Sequence, residues 1–347
     1  MTKYVIKRIL LALMTCFIVL SLSYILICCL KFQPLILPEN QAGQEYAYYM
    51  NQVNKGFLNF NKTLPNDELG TFVDKVTVAQ GTFYFYARPA LERYWSWFSG
   101  IITRWDWGTS QFYEIGRDCF DILVSRLPVT ISINIISVLI SVPLGIGFGV
   151  ILALKKGSVF DNVSQVIIMI LISIPGFVVI SYLILLAYNV EWLPASWPQS
   201  TDPTPRKVAA YIIPTICLSY GSIVGYARFV RAELCEVLES EYLLLARTKG
   251  LTRRQAILRH AFRNSMVPVL PSVVSEFISI LGGSMILENL YQIPGIGTLY
   301  LAAFNAKDYS LLMTDMAFYT IIGLLASIVV DLSYGFIDPR IRMGAKK

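Results

Sequence analysis

Six apolar segments, each long enough to cross a lipid bilayer, constrain the fold of this chain more than any other feature. They are residues 9–30, 127–154, 163–189, 210–230, 266–287 and 311–336. A helix of about 20 residues crosses the hydrocarbon core, where charged side chains are costly and no water is present to pair with backbone polar groups. The composition agrees, since 55% of residues are hydrophobic and 15% are charged. The sequence therefore predicts an all-α polytopic membrane protein with six transmembrane helices.

The distribution of Lys and Arg predicts the orientation. With the N-terminus inside, the cytoplasmic segments carry the basic residues near residues 3–8, 155–156, 247–263 and 340–347, and two short outer loops carry only Arg206, Lys207 and Lys307. Cytoplasmic loops are enriched in Lys and Arg, so both termini are expected in the cytoplasm. The net charge of +6 is then explained by topology and anionic lipid, and we expect no nucleic-acid partner.

The predicted organisation has three parts. Residues 1–30 hold the N-terminal cytoplasmic end and the first helix, residues 31–125 form a small extracellular domain, and residues 126–347 form a core of five helices with cytoplasmic coupling helices at 233–263. A structureless loop as long as 31–125 is improbable in a folded protein. Its Tyr and Trp residues are interpreted as an interfacial aromatic belt or as contacts to a delivering partner protein.

A charged segment interrupts the apolar sequence between Glu233 and Arg263. Its pattern predicts a helix over residues 233–249 that is closed by Gly250, since glycine adopts the left-handed conformation of a helix end. Thr252 followed by Gln255 predicts a capping box that starts a second, short helix. A basic amphipathic helix on anionic lipid is the alternative, but a rigid elbow of two capped helices favours docking on a protein.

This segment resembles a known family, the inner-membrane permease subunits of binding-protein-dependent ABC importers of the dipeptide, oligopeptide and nickel type. The matching text is YLLLARTKGLTRRQAILRHAFRNSMVP at residues 242–268, together with DWGTS at 106–110, RLPVT at 126–130, SIPGF at 173–177, PGIG at 294–297 and DPRIR at 338–342. In the broader EAA pattern of such permeases the corresponding positions are Glu, Ala and Ala; here they are Leu244, Leu245 and Ala246, so only the last Ala and Gly250 survive.

The resemblance implies an ABC importer type I permease fold in a bacterial cytoplasmic membrane. It also implies that the chain forms half of a pathway for oligopeptides, with dipeptides or nickel as alternatives. The expected partners are a second homologous permease subunit, two cytosolic ABC ATPase subunits that bind ATP and Mg, and an extracytoplasmic peptide-binding protein. The residues expected to couple to the ATPases are Tyr242, Ala246, Arg247, Lys249, Gly250, Leu251, Thr252, Arg254, Arg259, His260 and Arg263.

Polar residues inside the apolar segments are candidates for the translocation pathway, because such residues usually face protein or water. They are Asn134, Ser275, Glu276, Ser279, Glu288, Asn289 and Asp315. A hydrogen bond between helices is the alternative for those that stand alone. Pro143 and Pro175 are interpreted as kinks.

Catalysis by this chain is not expected. His260 is the only histidine, no Cys or His spacing indicates a metal site, and the GxxxxGK[ST] phosphate loop is absent from the sequence. We therefore expect no catalytic residues, no metal and no cofactor in this chain. An integral membrane enzyme with a site in residues 31–125 and a stand-alone channel remain the alternatives of another class.

Overall fold

The computed structural model describes residues 2–30, 34–35, 41–62, 69–199 and 201–337. These described residues fall into two compact units, one within residues 2–10, 127–298 and 322–337 and the other within residues 11–126 and 299–321. The predicted DPRIR landmark at 338–342 lies outside the described residues.

Helices long and apolar enough to cross a membrane confirm the predicted span architecture. Among the described residues five of them stand alone, and a pair of helices bent by 92° makes a sixth if the pair is counted as one span. Along the chain the helices are α1 (Thr2–Cys28), α2 (Ala42–Asn54), α3 (Ala90–Arg104), α4 (Cys119–Leu154), α5 (Val159–Ser173), α6 (Gly176–Ala187), α7 (Thr204–Ala209), α8 (Ile212–Leu238), α9 (Glu241–Thr248), α10 (Arg253–Ala256), α11 (Phe262–Ser279), α12 (Met285–Leu290), α13 (Ile296–Asn305) and α14 (Tyr309–Ile337).

The two prolines that were predicted as kinks behave differently. Pro175 lies at the break between α5 and α6, where Ile174 has an extended backbone, because a residue before proline is disfavoured in the helical conformation. Pro143 lies inside α4, which continues as one helix to Leu154. The third predicted span therefore corresponds to the bent pair of helices.

In the first unit, α4 packs closely on α8 through two glycines. A Cβ atom on Gly145 would lie 2.9 Å from the Ile223 carbonyl oxygen, and one on Gly149 would lie 2.7 Å from the Ala227 carbonyl oxygen. Small residues four apart let two membrane helices approach at backbone distance. This contact aligns α8, which carries the charged segment at its end.

The second unit contains the part of residues 31–125 that the structure describes. Strands β1 (Leu58–Asn61), β2 (Thr71–Val78) and β3 (Gly81–Ala87) form an antiparallel sheet in the order β1-β3-β2. Helix α2 covers the sheet, with the ring of Tyr49 stacked on Phe85 at a centroid distance of 4.7 Å. The all-α description therefore holds for the spans, whereas this segment, whose fold was not predicted, contains a small sheet.

A buried carboxylate organises the same unit around the start of α14. Asp308 accepts hydrogen bonds from the hydroxyl of Ser110 at 2.6 Å and from the backbone N–H groups of Gln111 and Phe112 at 2.8 and 3.0 Å. Its other oxygen accepts from the N–H of Leu311 at 3.2 Å, at the first turn of the helix. One side chain thus accepts hydrogen bonds both from the backbone of a loop and from the first turn of a helix.

Candidate coupling elbow and polar sites of the spans

The elbow begins with a break that the sequence did not reveal. Helix α8 ends at Leu238 and α9 starts at Glu241, so the prediction of one continuous helix over residues 233–249 was wrong. The hydroxyl of Ser240 donates to the Val237 carbonyl at 2.6 Å and takes up one of the acceptors left at the end of α8. Serine competes with the helix backbone in this way, and the chain changes direction here.

The predicted turn of the elbow is confirmed. Gly250 follows α9 with φ of +92°, a conformation that side-chain-bearing residues adopt only with strain. Thr252 then caps α10, since its hydroxyl accepts from the N–H of Gln255 at 3.3 Å and its own N–H donates to the Gln255 side chain at 3.1 Å. These reciprocal bonds form the predicted capping box.

The sequence predicted that the second helix of the elbow is short and separate, and this prediction was wrong. The helix is the beginning of a candidate span. Helix α10 continues through a π-helical turn, Ile257–Ala261, into α11, and the whole run from Arg253 to Leu290 qualifies as one candidate span. The basic residues mark the polar end of that helix. A movement of the elbow is therefore joined directly to α11.

A small apolar cluster fixes the elbow to the spans of the first unit. Leu243 of α9, Ala256 of α10 and Ala261 are buried against Ala153 of α4 and Leu234 of α8. Leu251 packs on the same cluster. The base of the elbow is thus part of the protein core, and its position depends on α4 and α8.

The opposite side of the elbow is open and combines apolar with basic side chains. Leu245 and Leu258 are 56% and 67% exposed, and Tyr242 and Leu244 are also exposed. Ala246 and Leu251 are half-buried, whereas the exposed positions include all the other predicted coupling residues, namely Arg247, Lys249, Gly250, Thr252, Arg254, Arg259, His260 and Arg263. The structure thus brings the predicted residues together on one segment. Exposed apolar residues among charged ones are typical of a protein interface.

Two ion pairs that sequence reasoning missed lie beside this elbow. Arg231 of α8 pairs with Asp161 of α5 at 2.6 and 2.7 Å, and the Asp161 side chain is fully buried. Lys156 pairs with Glu239 at the break after α8, and the hydrogen bond from this pair raises the pKa of Lys156. The two lysines of the KKGS turn at residues 155–158 could have suggested the pair with Glu239, because this turn faces the acidic end of α8.

The predicted pathway residues occupy several different environments. Ser275, Ser279 and Asn289 are exposed on the surface of the first unit. Glu276 is half-buried, with Oε1 lying 3.4 Å from the hydroxyl of Ser141. Asn134 donates to the backbone carbonyl of Thr130 at 2.8 Å, and Asp315 is buried in the second unit.

Glu288 is enclosed by the chain itself. Its carboxylate accepts from the hydroxyl of Thr130 at 3.0 Å and from the N–H of Thr298 at 3.2 Å, and only 2% of the residue is exposed. Thr130 in turn accepts from the N–H of Ile296 at 3.0 Å. These bonds hold the PGIG loop against α4, so we reinterpret Glu288 as a residue that positions this loop.

No cluster of three or more His, Cys, Asp or Glu side chains that could hold a metal ion occurs among the described residues. The elbow exposes guanidinium, ammonium and apolar groups, which suit an interface. The neighbouring carboxylates Asp161 and Glu239 are engaged in ion pairs. The described features define a polytopic helical membrane protein with an exposed basic and apolar elbow.

The chain belongs to the family described as the inner membrane component of binding-protein-dependent transport systems, whose model matches residues 145–343. This match confirms the predicted resemblance, and the chain is a membrane-spanning permease subunit of an ABC importer. The match covers the elbow, α11 and the PGIG loop.

Curated relatives extend the similarity to nearly the whole chain. The dipeptide transport system permease protein DppB of Bacillus subtilis is 32% identical over 81% of this chain and 88% of its own length. DppB of Lactococcus lactis is 28% identical over 99% of this chain and all of its own. The oligopeptide transport system permease protein OppB of Escherichia coli K12 is 29% identical with the same coverage.

Proposed function

We propose that this subunit forms half of a translocation pathway for peptides and couples it to cytosolic ATPases through the elbow at residues 241–263. The second half would come from a homologous permease subunit, and an extracytoplasmic binding protein would deliver the substrate. Both termini would lie in the cytoplasm. ATP and Mg would bind the partner ATPases, and this chain would hydrolyse nothing.

The observation that carries the proposal is the two-sided construction of the elbow. Leu243, Ala256 and Ala261 attach it to the core, while Leu245 and Leu258 face away from the protein. An element that is anchored on one side and apolar on the other transmits a displacement of its partner to the helices behind it. The continuity of α10 with α11 supplies the mechanical connection.

The peptide substrate is supported by the similarity to dipeptide and oligopeptide permeases. Oligopeptides fit better than nickel, because His260, the only histidine, lies at the exposed basic end of the helix that runs from α10 into α11, and the apolar parts of the spans contain no histidine. Imidazole is a common ligand for nickel. Glu276, with Ser275, Ser279, Asn134 and Asn289 of the same unit, remains the proposed polar lining of the pathway, whereas Asp315 is buried in the second unit and is no longer proposed for it.

Purification of this chain from its native membrane in mild detergent, followed by mass spectrometry, tests the assembly. Recovery of a second permease, one or two ATPases and a binding protein would support it, and the ligand of the binding protein would identify the substrate. Recovery of this chain alone as a stable homo-oligomer would contradict it and favour a channel or an enzyme.

Substitutions in the elbow test the coupling role separately from folding. Leu258→Glu is expected to reduce ATPase co-purification and transport together, because it places a carboxylate on the apolar docking surface. Val208→Glu is the matched control, since Val208 of α7 is equally exposed and apolar. Equal ATPase recovery in both variants would contradict docking at the elbow.

The conformation of Gly250 provides a second test. Gly250→Ala strains a residue with φ of +92° and is expected to lower transport at normal membrane levels of the protein. Gly81→Ala introduces similar strain at φ of +126° in the turn between β2 and β3, and a Cβ would meet open space at both sites. Unchanged transport in Gly250→Ala would show that the elbow does not need this geometry.

A further inference from the structure

Glu276 is a carboxylate that lies deep in an apolar segment. It occupies the middle of residues 266–287 and the last turn of α11, within the candidate span Arg253–Leu290. An ionised side chain at this depth is costly unless it faces protein or water and meets a suitable partner. The identity of that partner therefore decides what Glu276 does.

The chain supplies neutral partners to this carboxylate. The hydroxyl of Ser141, on α4, lies 3.4 Å from Oε1, which is longer than the usual distance of about 2.7–2.8 Å between a hydroxyl and its acceptor. The side chain of Tyr226, on α8, also interacts with Glu276. None of the ion pairs among the described residues includes Glu276. Within the described part of the chain its charge is thus not compensated.

Glu288, a second carboxylate of the same unit, shows what full satisfaction by the chain requires. It accepts from the hydroxyl of Thr130 at 3.0 Å and from the N–H of Thr298 at 3.2 Å, and only 2% of it is exposed. Glu276 is half-buried instead, with one long contact to a hydroxyl. The chain therefore encloses one carboxylate and leaves the other accessible to a ligand.

Hydroxyl groups extend the polar surface around Glu276 along α11. Ser272 and Ser279 lie four residues before and three residues after it, which places all three on one side of the helix. Ser279 and the adjacent Ser275 are exposed. A carboxylate among hydroxyls suits a polar ligand or water and not lipid acyl chains.

The end of α11 adds negative charge at the same place. The helix ends at Ser279, three residues beyond Glu276, and passes into the 3-10 turn Ile280–Gly282. Gly283 then has φ of 61°, so the chain leaves the helix direction here. Carbonyl groups at the end of a helix carry partial negative charge and attract cations. The carboxylate and the helix end together favour a ligand that is positively charged and donates hydrogen bonds.

We propose that Glu276 binds the α-ammonium group of a peptide in the translocation pathway, with the hydroxyls of Ser275 and Ser279 as further acceptors. An ammonium group carries one positive charge and three donors, and every peptide with a free N-terminus has one at neutral pH. This inference rests on the proposed function, since it takes the substrate to be a peptide. Because α10 continues into α11, a movement of the elbow would also displace this carboxylate.

Transport into proteoliposomes tests the inference. The complete transporter with its binding protein would be given a tripeptide or the analogue that lacks only the α-amino group. Glu276→Gln keeps the shape of the side chain and an acceptor for Ser141. It is expected to slow transport of the tripeptide roughly tenfold or more and to change transport of the analogue little. Glu276→Asp, which keeps the charge, is expected to recover part of the rate.

Glu191→Gln is the matched control, because Glu191 is an exposed carboxylate in the loop after α6 of the same unit. It removes the same charge and is expected to leave both rates unchanged. The binding protein is identical throughout, so its own preference for the amino group cancels when the variants are compared. Unchanged transport in Glu276→Gln, or an equal loss for tripeptide and analogue, would overturn the inference. Failure of the unmodified complex to transport peptide would instead overturn the proposed function.

The pH dependence of tripeptide transport gives a second readout that does not need the analogue. Free α-amino groups lose their proton near about pH 7.7–8.0. The ratio of the rates of the unmodified protein and Glu276→Gln is therefore expected to fall towards unity as the pH rises from about 7 to about 9. Tyr226 is the titratable group that faces Glu276 from α8, and tyrosine ordinarily ionises near about pH 10; α4 contributes the uncharged Ser141. A ratio that stays constant would contradict binding of the ammonium group.

Discussion

Arg231 of α8 and Asp161 of α5 form a bidentate ion pair in which Nε lies 2.6 Å from Oδ1 and Nη2 lies 2.7 Å from Oδ2. Asp161 also accepts from the N–H of Gly157 at 3.0 Å, and Ser158 caps the first turn of α5. This pair joins the start of one span to the helix that leads into the elbow. It therefore fixes the helix that leads into the elbow, in addition to the apolar cluster around Leu243.

Arg231→Met is expected to destabilise the subunit by about 3 kcal/mol, because removing one partner leaves a buried carboxylate without its counter-charge. A thermal unfolding measurement in nanodiscs checks this prediction. Lys156→Met is the matched control, since it breaks the neighbouring but exposed pair with Glu239 and is expected to leave the unfolding temperature nearly unchanged. Similar shifts in both variants would show that the Arg231 pair is no stronger than a surface contact.

The PGIG loop has no room for a side chain at Gly295. A Cβ atom there would lie 2.4 Å from Oε2 of Glu288 and 2.5 Å from Oγ1 of Thr130. Gly295→Ala is therefore expected to cost about 1–3 kcal/mol of stability through overpacking. Gly221→Ala in α8, where a Cβ would meet open space, is expected to be neutral or slightly stabilising in the same thermal assay, because alanine favours a helix. A neutral Gly295→Ala would refute the positioning role given to Glu288.

The sequence predicted the spans and the elbow turn because both depend on local signals. Segment length and hydropathy identify helices in a membrane, and Gly250 with Thr252 and Gln255 is a local capping pattern. The role of Glu288 depends on a partner far along the chain, Thr130, at a separation of 158 residues. The break near Ser240 involves a local bond to Val237, but a serine is also compatible with a continuous helix, so the sequence did not reveal it. The sheet of residues 58–87 was missed for a similar reason, since its aromatic residues also suit a membrane interface.

The segment GIGFG at residues 145–149 of α4 contains two glycines, Gly147 and Gly149, at which substitution by alanine is expected to have opposite effects on stability. Gly149 faces α8, and a Cβ there would lie 2.7 Å from the Ala227 carbonyl and 2.8 Å from Cβ of Val230, whereas a Cβ on Gly147 would meet open space. Gly149→Ala is expected to lower the stability of the purified subunit by about 1–3 kcal/mol. Gly147→Ala is expected to raise it by up to about 1 kcal/mol through helix propensity. Measuring the unfolding temperatures of the two variants in the same detergent tests this prediction. Equal unfolding temperatures would contradict close packing of α4 on α8.

The ion pair between Lys55 and Asp106 predicts a defined pH dependence for the second unit. Burial alone would raise the pKa of Asp106, but the hydrogen bonds from Lys55 and Gly108 and the nearby positive charges outweigh this effect and lower it. The folded pKa thus lies below the unfolded value of about 3.9. The stabilisation from Asp106 is present above that unfolded pKa and is lost as the pH falls through the folded pKa.

Asp106→Asn is therefore expected to lower the unfolding temperature at neutral pH, and this difference from the unmodified protein is expected to shrink as the pH falls below about 4. Lys55→Met should reproduce the loss at neutral pH, because it removes the partner that lies 2.9 Å away. In the double variant the two losses should be less than additive, since each substitution alone already breaks the pair. The unfolding temperatures of Asp106→Asn and the unmodified protein could instead differ by the same amount at neutral pH and below the unfolded pKa. That result would contradict a lowered pKa at Asp106.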